Sequence, residues 1–241
     1  MCIESASKDG YRVGVVSPEL SKERLGYRID SSRTHMSNMA MQKGLLLPKY
    51  EDYFEELLAS DEHIFVADSS DFADGMVSVQ QCDNFVRSKK LDILFIDGVV
   101  YVRPNGWNPR MNMSESMGLA GRQLFQVSKD LHIPVVGVVQ AKRRSSEKRN
   151  ENEEISDSES IFGSYELAQA TTRIVSINKL ASAIKLVTVK NRYGKEGDSW
   201  IYNYDFDKML MTYIPDIEDI KKDDEEEKIV EEAKDKFKHI F

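Results

Sequence analysis

The apolar positions of this chain fall into two regimes. In the first 140 residues, short apolar runs alternate with longer stretches at helical spacing. Residues 11–17, 64–67, 91–97 and 133–139 are runs of Val, Ile, Leu and Phe with few polar interruptions, as in strands buried on both faces of a parallel sheet. Between them, Leu25 and Ile29, then Met36 and Met39, predict a helix after Ser21. Residues 50–59 predict a second helix beyond Pro48, residues 79–86 a third, and Leu124, Val127 and Leu131 mark the face of a fourth. Residues 2–8 read as the end of a helix and Asp9-Gly10 as the turn after it. Residues 99–116, with Pro104, Asn105-Gly106 and Pro109, have the chemistry of a loop.

After residue 160 the pattern changes. A short helix over 165–170 is followed by four strand-like runs, 173–177, 183–189, 200–204 and 209–214, with no room for helices between them. Gly194 and Gly197 lie in the turn joining the second and third. The expected class is α/β: a mainly parallel sheet with helices on both faces and antiparallel strands added at its C-terminal edge. Residues 1–215 are expected to form this domain. In the tail, 216–241, Ile229, Ala233, Phe237 and Ile240 share one helical face; docking and a solvated, frayed helix both stay open.

Composition narrows the class. Two cysteines, Cys2 and Cys82, exclude a disulfide scaffold and suit a reducing compartment. No run approaches the roughly 20 apolar residues that cross a bilayer. The first ten residues lack the basic start and apolar centre of a signal peptide. The formal charge of −8 is unevenly spread. Acid gathers in the tail, whereas Lys142, Arg143, Arg144, Lys148 and Arg149 crowd into one polar segment, 141–160, read as a mobile loop.

Candidate chemistry sits at strand ends. In a parallel α/β sheet, ligands bind in the crevice beyond the carboxyl ends of the strands. The runs ending at Ser17, Asp97 and Val139 would place Glu19, Asp97 and Gln140 along one edge. An acid there can hold hydrated Mg2+ beside a nucleotide phosphate, a second acid can polarise the attacking water, and an amide can sense the terminal phosphate. Plainer readings stand beside these: Asp97 opens a turn with Gly98, Glu19 favours a helix N-terminus, and Gln140 is a polar strand cap.

The ordered set resembles the RecA-like motor domain of DnaB-type, superfamily 4 replicative helicases, especially those of bacteriophages. Val15-Val-Ser-Pro-Glu19-Leu20 is similar to the segment carrying that family's catalytic glutamate, and Asp92-Ile-Leu-Phe-Ile-Asp97 to its Walker B strand. Ile133-Pro-Val-Val-Gly-Val-Val-Gln140 resembles the strand ending in its phosphate-sensing glutamine. Gly163-Ser-Tyr-Glu166-Leu-Ala-Gln169 and Val189-Lys190-Asn-Arg192-Tyr-Gly194 resemble its next two motifs. Together they cover about residues 11–214.

The resemblance implies an ATP-dependent DNA helicase subunit that works as a ring, usually a hexamer, on single-stranded DNA in the cytoplasm, the host's if phage-encoded. Glu19, Asp97 and Gln140 would serve ATP and Mg2+. Arg192 would be an arginine finger with Lys190 beside it, both reaching the neighbouring subunit's nucleotide. Arg103, Arg110, Lys142, Arg143, Arg144, Lys148 and Arg149 would contact DNA phosphates, with Tyr101 and Trp107 available for stacking. A primase and a helicase loader are implied partners.

Two departures qualify it. Ile161-Phe162 replaces an Arg-Glu pair. No Gly-x-x-x-x-Gly-Lys-[Ser/Thr] loop occurs in the 241 residues, so the nest and lysine that grip phosphates are missing. The chain is therefore expected to begin inside a motor domain, to be one portion of such a helicase and to hydrolyse ATP poorly alone. A recombinase-type ATPase and a non-enzymatic DNA- or protein-binding module are the competing readings.

Overall fold

In the computed structural model, residues 2–45, 47–72, 75–140, 165–180 and 183–215 are described, and the account below concerns these. In chain order they form α1 (Cys2–Lys8), β1 (Val13–Ser17), α2 (Lys22–Thr34), α3 (Asn38–Gln42), α4 (Leu47–Ala59), β2 (Ile64–Asp68), α5 (Val79–Lys89), β3 (Ile93–Asp97), α6 (Met113–Leu131), β4 (Val135–Val138), α7 (Tyr165–Ala170) and β5 to β8 (Arg173–Lys179, Ala183–Asn191, Ser199–Asp205, Leu210–Ile214).

The first four strands pair in the order β2-β1-β3-β4, all parallel. One face of this sheet packs Val16, Leu94 and Ile96 against Cys82 and Val86 of α5 and Met117, Ala120 and Leu124 of α6. The other packs Val13 and Val15 against Leu25 and Ile29 of α2, with Ile3 and Ala6 of α1 beside them. Helices thus cover both faces, as the doubly apolar strands require.

The antiparallel strands follow at the C-terminal side. They pair among themselves, in the order β5-β6-β7-β8, as a sheet of their own rather than as an extension of the parallel one. Hydrogen bonds tie the turn between β7 and β8 to the α2–α3 junction. Asn38 N–H donates to Asp207 O at 2.8 Å, and the Ser31 hydroxyl is placed to donate to Asp207 O at 3.0 Å or Met36 O at 2.6 Å.

Two boundaries differ from the sequence expectation. The helix predicted through Met36 and Met39 is two helices. His35 adopts a left-handed φ of 54°, which ends α2, and the Ser37 hydroxyl caps α3 by accepting from Ala40 N–H at 3.0 Å. The predicted loop 99–116 closes earlier. Asn112 and Glu115 form a reciprocal capping box, each side chain accepting the other's backbone N–H, so α6 begins at Met113.

Candidate nucleotide site at the sheet rim

Register fixes the geometry. Ser17 lies opposite Asp68 on one side, and Val16 opposite Ile96 on the other, so Ser17 is level with Asp97; Asp97 in turn lies opposite Val138. Asp68, Ser17, Asp97 and Val138 therefore form one row across the carboxyl ends of the four strands. Glu19 and Gln140 each stand two residues beyond that row. Neighbouring strands are about 4.8 Å apart, so the β1, β3 and β4 ends span roughly 10 Å.

Hydrogen bonds hold the rim in shape. The Ser17 hydroxyl donates to Asp97 O at 3.0 Å and accepts from Leu20 N–H at 3.0 Å. The Ser69 hydroxyl donates to Pro18 O at 3.1 Å. This pins the Pro18–Leu20 turn and leaves Glu19 exposed. The Asp97–Gly98 peptide bond is cis.

The acids of the row have different employment. Asp68, 8% exposed, accepts Lys22 N–H at 2.8 Å, Ser70 N–H at 2.8 Å and the Ser70 hydroxyl at 2.6 Å. The Ser70 hydroxyl, then the Lys22 amide, hold its carboxyl below the ordinary value. Asp71 beside it pairs with Lys22 Nζ at 2.7 Å. Asp68 was missed in the sequence; its position before Ser-Ser-Asp71 was the cap signal that could have found it. By contrast, the side chains of Glu19, Asp97 and Gln140 have no hydrogen-bond or ion-pair partner among the described residues.

That contrast is the test of fit for a metal. A half-buried, unpaired carboxylate at a strand end suits a hydrated Mg2+, which keeps most of its waters and takes one or two carboxylates plus phosphate oxygens. No cluster of three His, Cys, Asp or Glu side chains that could hold a metal occurs among the described residues, so a closed protein cage is not formed. The residues present fit the metal and water side of a nucleotide site. The phosphate loop that would complete such a site does not occur in the 241 residues.

Lys190 and Arg192 lie elsewhere, at the end of β6. Lys190 Nζ donates to Ala168 O at 2.7 Å, and the Arg192 guanidinium to Gln169 O at 2.6 Å. Both cations sit on carbonyls at the carboxyl end of α7, the negative end of a helix. Burial, then the Arg192 charge, pull the Lys190 ammonium below its ordinary value. Neither side chain bonds to Glu19, Asp97 or Gln140 among the described residues. α7 itself is seated on α6: a Cβ at Gly118 or Gly121 would collide with Glu166 or Leu167, and Arg122 pairs with Glu166 at 2.5 Å.

The segment after β3 is more ordered than a loop. Arg103 N–H donates to Val77 O at 2.9 Å, and Val79 N–H to Arg103 O at 2.9 Å. Its guanidinium lies 3.9 Å over the Trp107 ring. A cleft of about 490 Å³ opens here, lined in part by Pro18, Ser69, Tyr101, Arg103 and Trp107. Glu19, Asp97 and Gln140 do not line it. Arg110 is exposed. Lys142, Arg143, Arg144, Lys148 and Arg149, Ile161-Phe162 and the 216–241 tail lie outside the described residues.

A parallel sheet sandwiched by helices, with unpaired acids and an amide on its carboxyl rim and an antiparallel sheet after it, defines a RecA-like α/β protein. The chain belongs to the DnaB-like helicase C terminal domain family, which matches residues 1–213. Among solved structures it is similar to the ATPase domain of a phage protein, with a TM-score of 0.73 and 14% identity over 88% of this chain and 78% of that one. It is also similar to a DnaB-like replicative helicase described with its interactions with primase, at TM-score 0.71 and 14% identity over 88% of this chain and 53% of that one. The RadB recombinase matches at TM-score 0.52 and 15% identity, over 89% and 84%. The chain thus spans about half the length of the replicative helicase. None of the curated protein sequences compared with it matches. No described helix is long and apolar enough to cross a membrane.

Proposed function

We propose that this chain is the C-terminal motor portion of a phage-type, superfamily 4 replicative helicase, driven by ATP and acting in a hexameric ring on single-stranded DNA. Residues 1–215 form the motor domain and 216–241 an acidic tail. Glu19 takes a proton from the attacking water, and Gln140 contacts the terminal phosphate. Asp97 holds Mg2+ through water, and the ion neutralises charge at the phosphates. Arg192, with Lys190 beside it, leaves the α7 carbonyls to reach the phosphates bound by the neighbouring subunit. Arg103 and Arg110, with the basic cluster Lys142, Arg143, Arg144, Lys148 and Arg149, hold the DNA backbone, and Trp107 offers a stacking face. A primase and a loader are the expected protein partners.

The observation that carries this reading is the row itself. Three polar side chains from distant parts of the sequence stand unpaired within two residues of one level of the sheet, while the neighbouring Asp68 is fully employed. The test is ATP hydrolysis with and without single-stranded DNA. The chain alone should turn over poorly or not at all. A form fused to a phosphate-loop segment should show DNA-stimulated turnover, lowered about 10²–10⁴-fold by Glu19→Gln. A second reading, a catalytically incomplete binding module, is favoured by the absence of a phosphate loop from the 241 residues. It predicts no DNA stimulation in the fused form either. The recombinase reading has the weaker structural likeness, 0.52 against 0.73.

A further inference from the structure

The rim employs Glu19, Asp97 and Gln140 but makes no use of the cleft that opens between Pro18, Ser69 and the segment after β3. At about 490 Å³ this cleft falls within the roughly 300–1,000 Å³ of small-molecule pockets. Tyr101 and Trp107 line it together with Met76, Met111 and Met113. Thioether side chains adapt their shape and make favourable contacts with aromatic rings. Among the described residues that line it, Arg103 alone is charged, and none is acidic.

The walls are fixed by bonds of their own. Val77 and Val102, at 1% and 2% exposure, sink the backbone on either side of Ser78 and Arg103, which form an isolated parallel bridge. Ser78 and Gln81 make the reciprocal capping box that starts α5. On the other side, Asn105 N–H donates to Gln123 Oε1 at 2.7 Å, and Gln123 Nε2 donates to Asn105 O at 3.1 Å. The segment carrying Arg103 and Trp107 is thus tied to both α5 and α6. A wall ordered in advance loses little conformational freedom when a ligand enters.

Arg103 differs from its neighbours in one respect. Lys22 pairs with Asp71 at 2.7 Å, Arg87 with Asp83 at 3.0 Å and Arg122 with Glu166 at 2.5 Å. The half-buried Arg103 guanidinium has no carboxylate and no hydrogen-bond acceptor among the described residues; it rests on the Trp107 ring at 3.9 Å. A guanidinium stays charged at every ordinary pH, and its five N–H groups lie in one plane that matches phosphate oxygens two at a time. Stacking on Trp107 holds that plane and leaves its donors unengaged. An unpaired planar cation beside aromatic and thioether walls is complementary to a flat ring that carries an anionic group, which is the chemistry of a nucleotide.

We infer that the cleft is a base-capturing subsite. It takes one base swung out of a single strand against Tyr101, Trp107 and the methionines, with the adjoining phosphate on Arg103. This goes beyond a hold on the DNA backbone, because a surface that grips phosphates alone is indifferent to the bases. Glu19, Asp97 and Gln140 do not line the cleft, so the subsite is separate from the candidate catalytic rim. The nucleotide chemistry stands on the cleft itself; the single strand as its source rests on the helicase reading above. A free nucleotide offers the same ring and phosphate, and the test separates the two sources.

The chain has two tryptophans, and the other, Trp200, lies on β7. Trp200→Phe therefore leaves Trp107 as the sole indole and a reporter inside the cleft. The full chain in this background is titrated, without ATP, with three probes: an oligothymidylate of roughly ten nucleotides, an abasic deoxyribose-phosphate strand of the same length, and thymidine monophosphate. Strand binding is read by anisotropy of a terminal dye and base capture by Trp107 emission. The oligothymidylate should quench Trp107 saturably. The abasic strand should bind about tenfold more weakly, the size of one lost base stack, and leave the emission unchanged.

Ser116→Phe fills the cleft from α6 and leaves Arg103 in place. It should bring oligothymidylate binding down to the abasic level while abasic binding stays the same. Met113→Ala, at a position 54% exposed, keeps the test open if the larger side chain disturbs folding; it should weaken oligothymidylate about threefold and spare the abasic strand. Equal binding of the two strands, an unchanged Trp107 emission at saturating oligothymidylate, or full binding by Ser116→Phe would each overturn the proposal. Thymidine monophosphate quenching as tightly as the strand would keep the nucleotide subsite and reject the single strand as its source. Base capture without DNA-stimulated turnover in the fused form would leave the subsite standing and remove the enzymatic reading; turnover without base discrimination would do the reverse.

Discussion

β1 and β4 are nearly the same peptide in different places. Val13-Gly-Val-Val16 and Val135-Val-Gly-Val138 have the same composition, both run parallel, and both lie beside β3. Yet every residue of β1 is buried, with Val15 and Val16 at 1% and 0% exposure, while Val136 and Val138 stand 41% and 52% exposed. A strand's own residues say that it can be buried on both faces. Whether it is buried depends on how many neighbours the topology gives it: among the described residues β1 has two, β4 one. The exposed face of β4 is a place where composition and environment disagree.

The sharpest way to break this comparison is to place a charge in each strand. Val15→Asp, on the face that Val138 shares, buries an unpaired carboxylate and should cost about 3–5 kcal/mol or prevent folding. Val138→Asp should change stability by less than about 0.5 kcal/mol. Urea denaturation of both variants decides it; similar losses would mean that the β4 face is covered in solution. A smaller effect tests the opposite face, where the strands should behave alike. Gly14→Ala would drive a methyl into Leu91, and Gly137→Ala into Val99. Each should cost about 1–3 kcal/mol by thermal melting, because the obstructing side chain must move within a packed core. A tolerated Gly137→Ala would show that β4 is loose on both sides.

The smallest expected effect concerns two acids of one row. Asp68→Ala removes a buried cap and should cost about 1–2 kcal/mol, whereas Asp97→Ala, which loses no side-chain bond to described residues, should cost less than about 0.5 kcal/mol. The Asp68 contribution carries a pH signature. Its folded pKa is depressed, so the stabilisation is present above the ordinary value and is lost as pH falls through the folded one. The gap between wild type and Asp68→Ala should narrow in acid below about pH 4; a gap that held constant there would refute the cap assignment.

Much of this was legible beforehand because it rests on local periodicity. Leu94 and Ile96 announced a buried strand, and Leu25 and Ile29 a helix face, because apolar spacing follows the period of the backbone. Glu19, Asp97 and Gln140 were legible as strand-end residues, since parallel strands joined by helices bring their carboxyl ends to one side. The break at His35 was not, because a non-glycine residue enters the left-handed region only where its surroundings favour it. The early start of α6 was legible in Asn112 and Glu115 and was overlooked amid polar neighbours.

What the sequence by itself determined is therefore the set of elements, their alternation and the residues at strand ends, all properties of a few consecutive positions. Tertiary structure alone decided three things. It left Asp97 unpaired, it hung Lys190 and Arg192 on the carbonyls of α7, and among the described residues it left β4 with one neighbour instead of two. Each depends on contacts between residues far apart in the chain, whose energies are set by distance and burial in space, and no pattern along the chain encodes those directly.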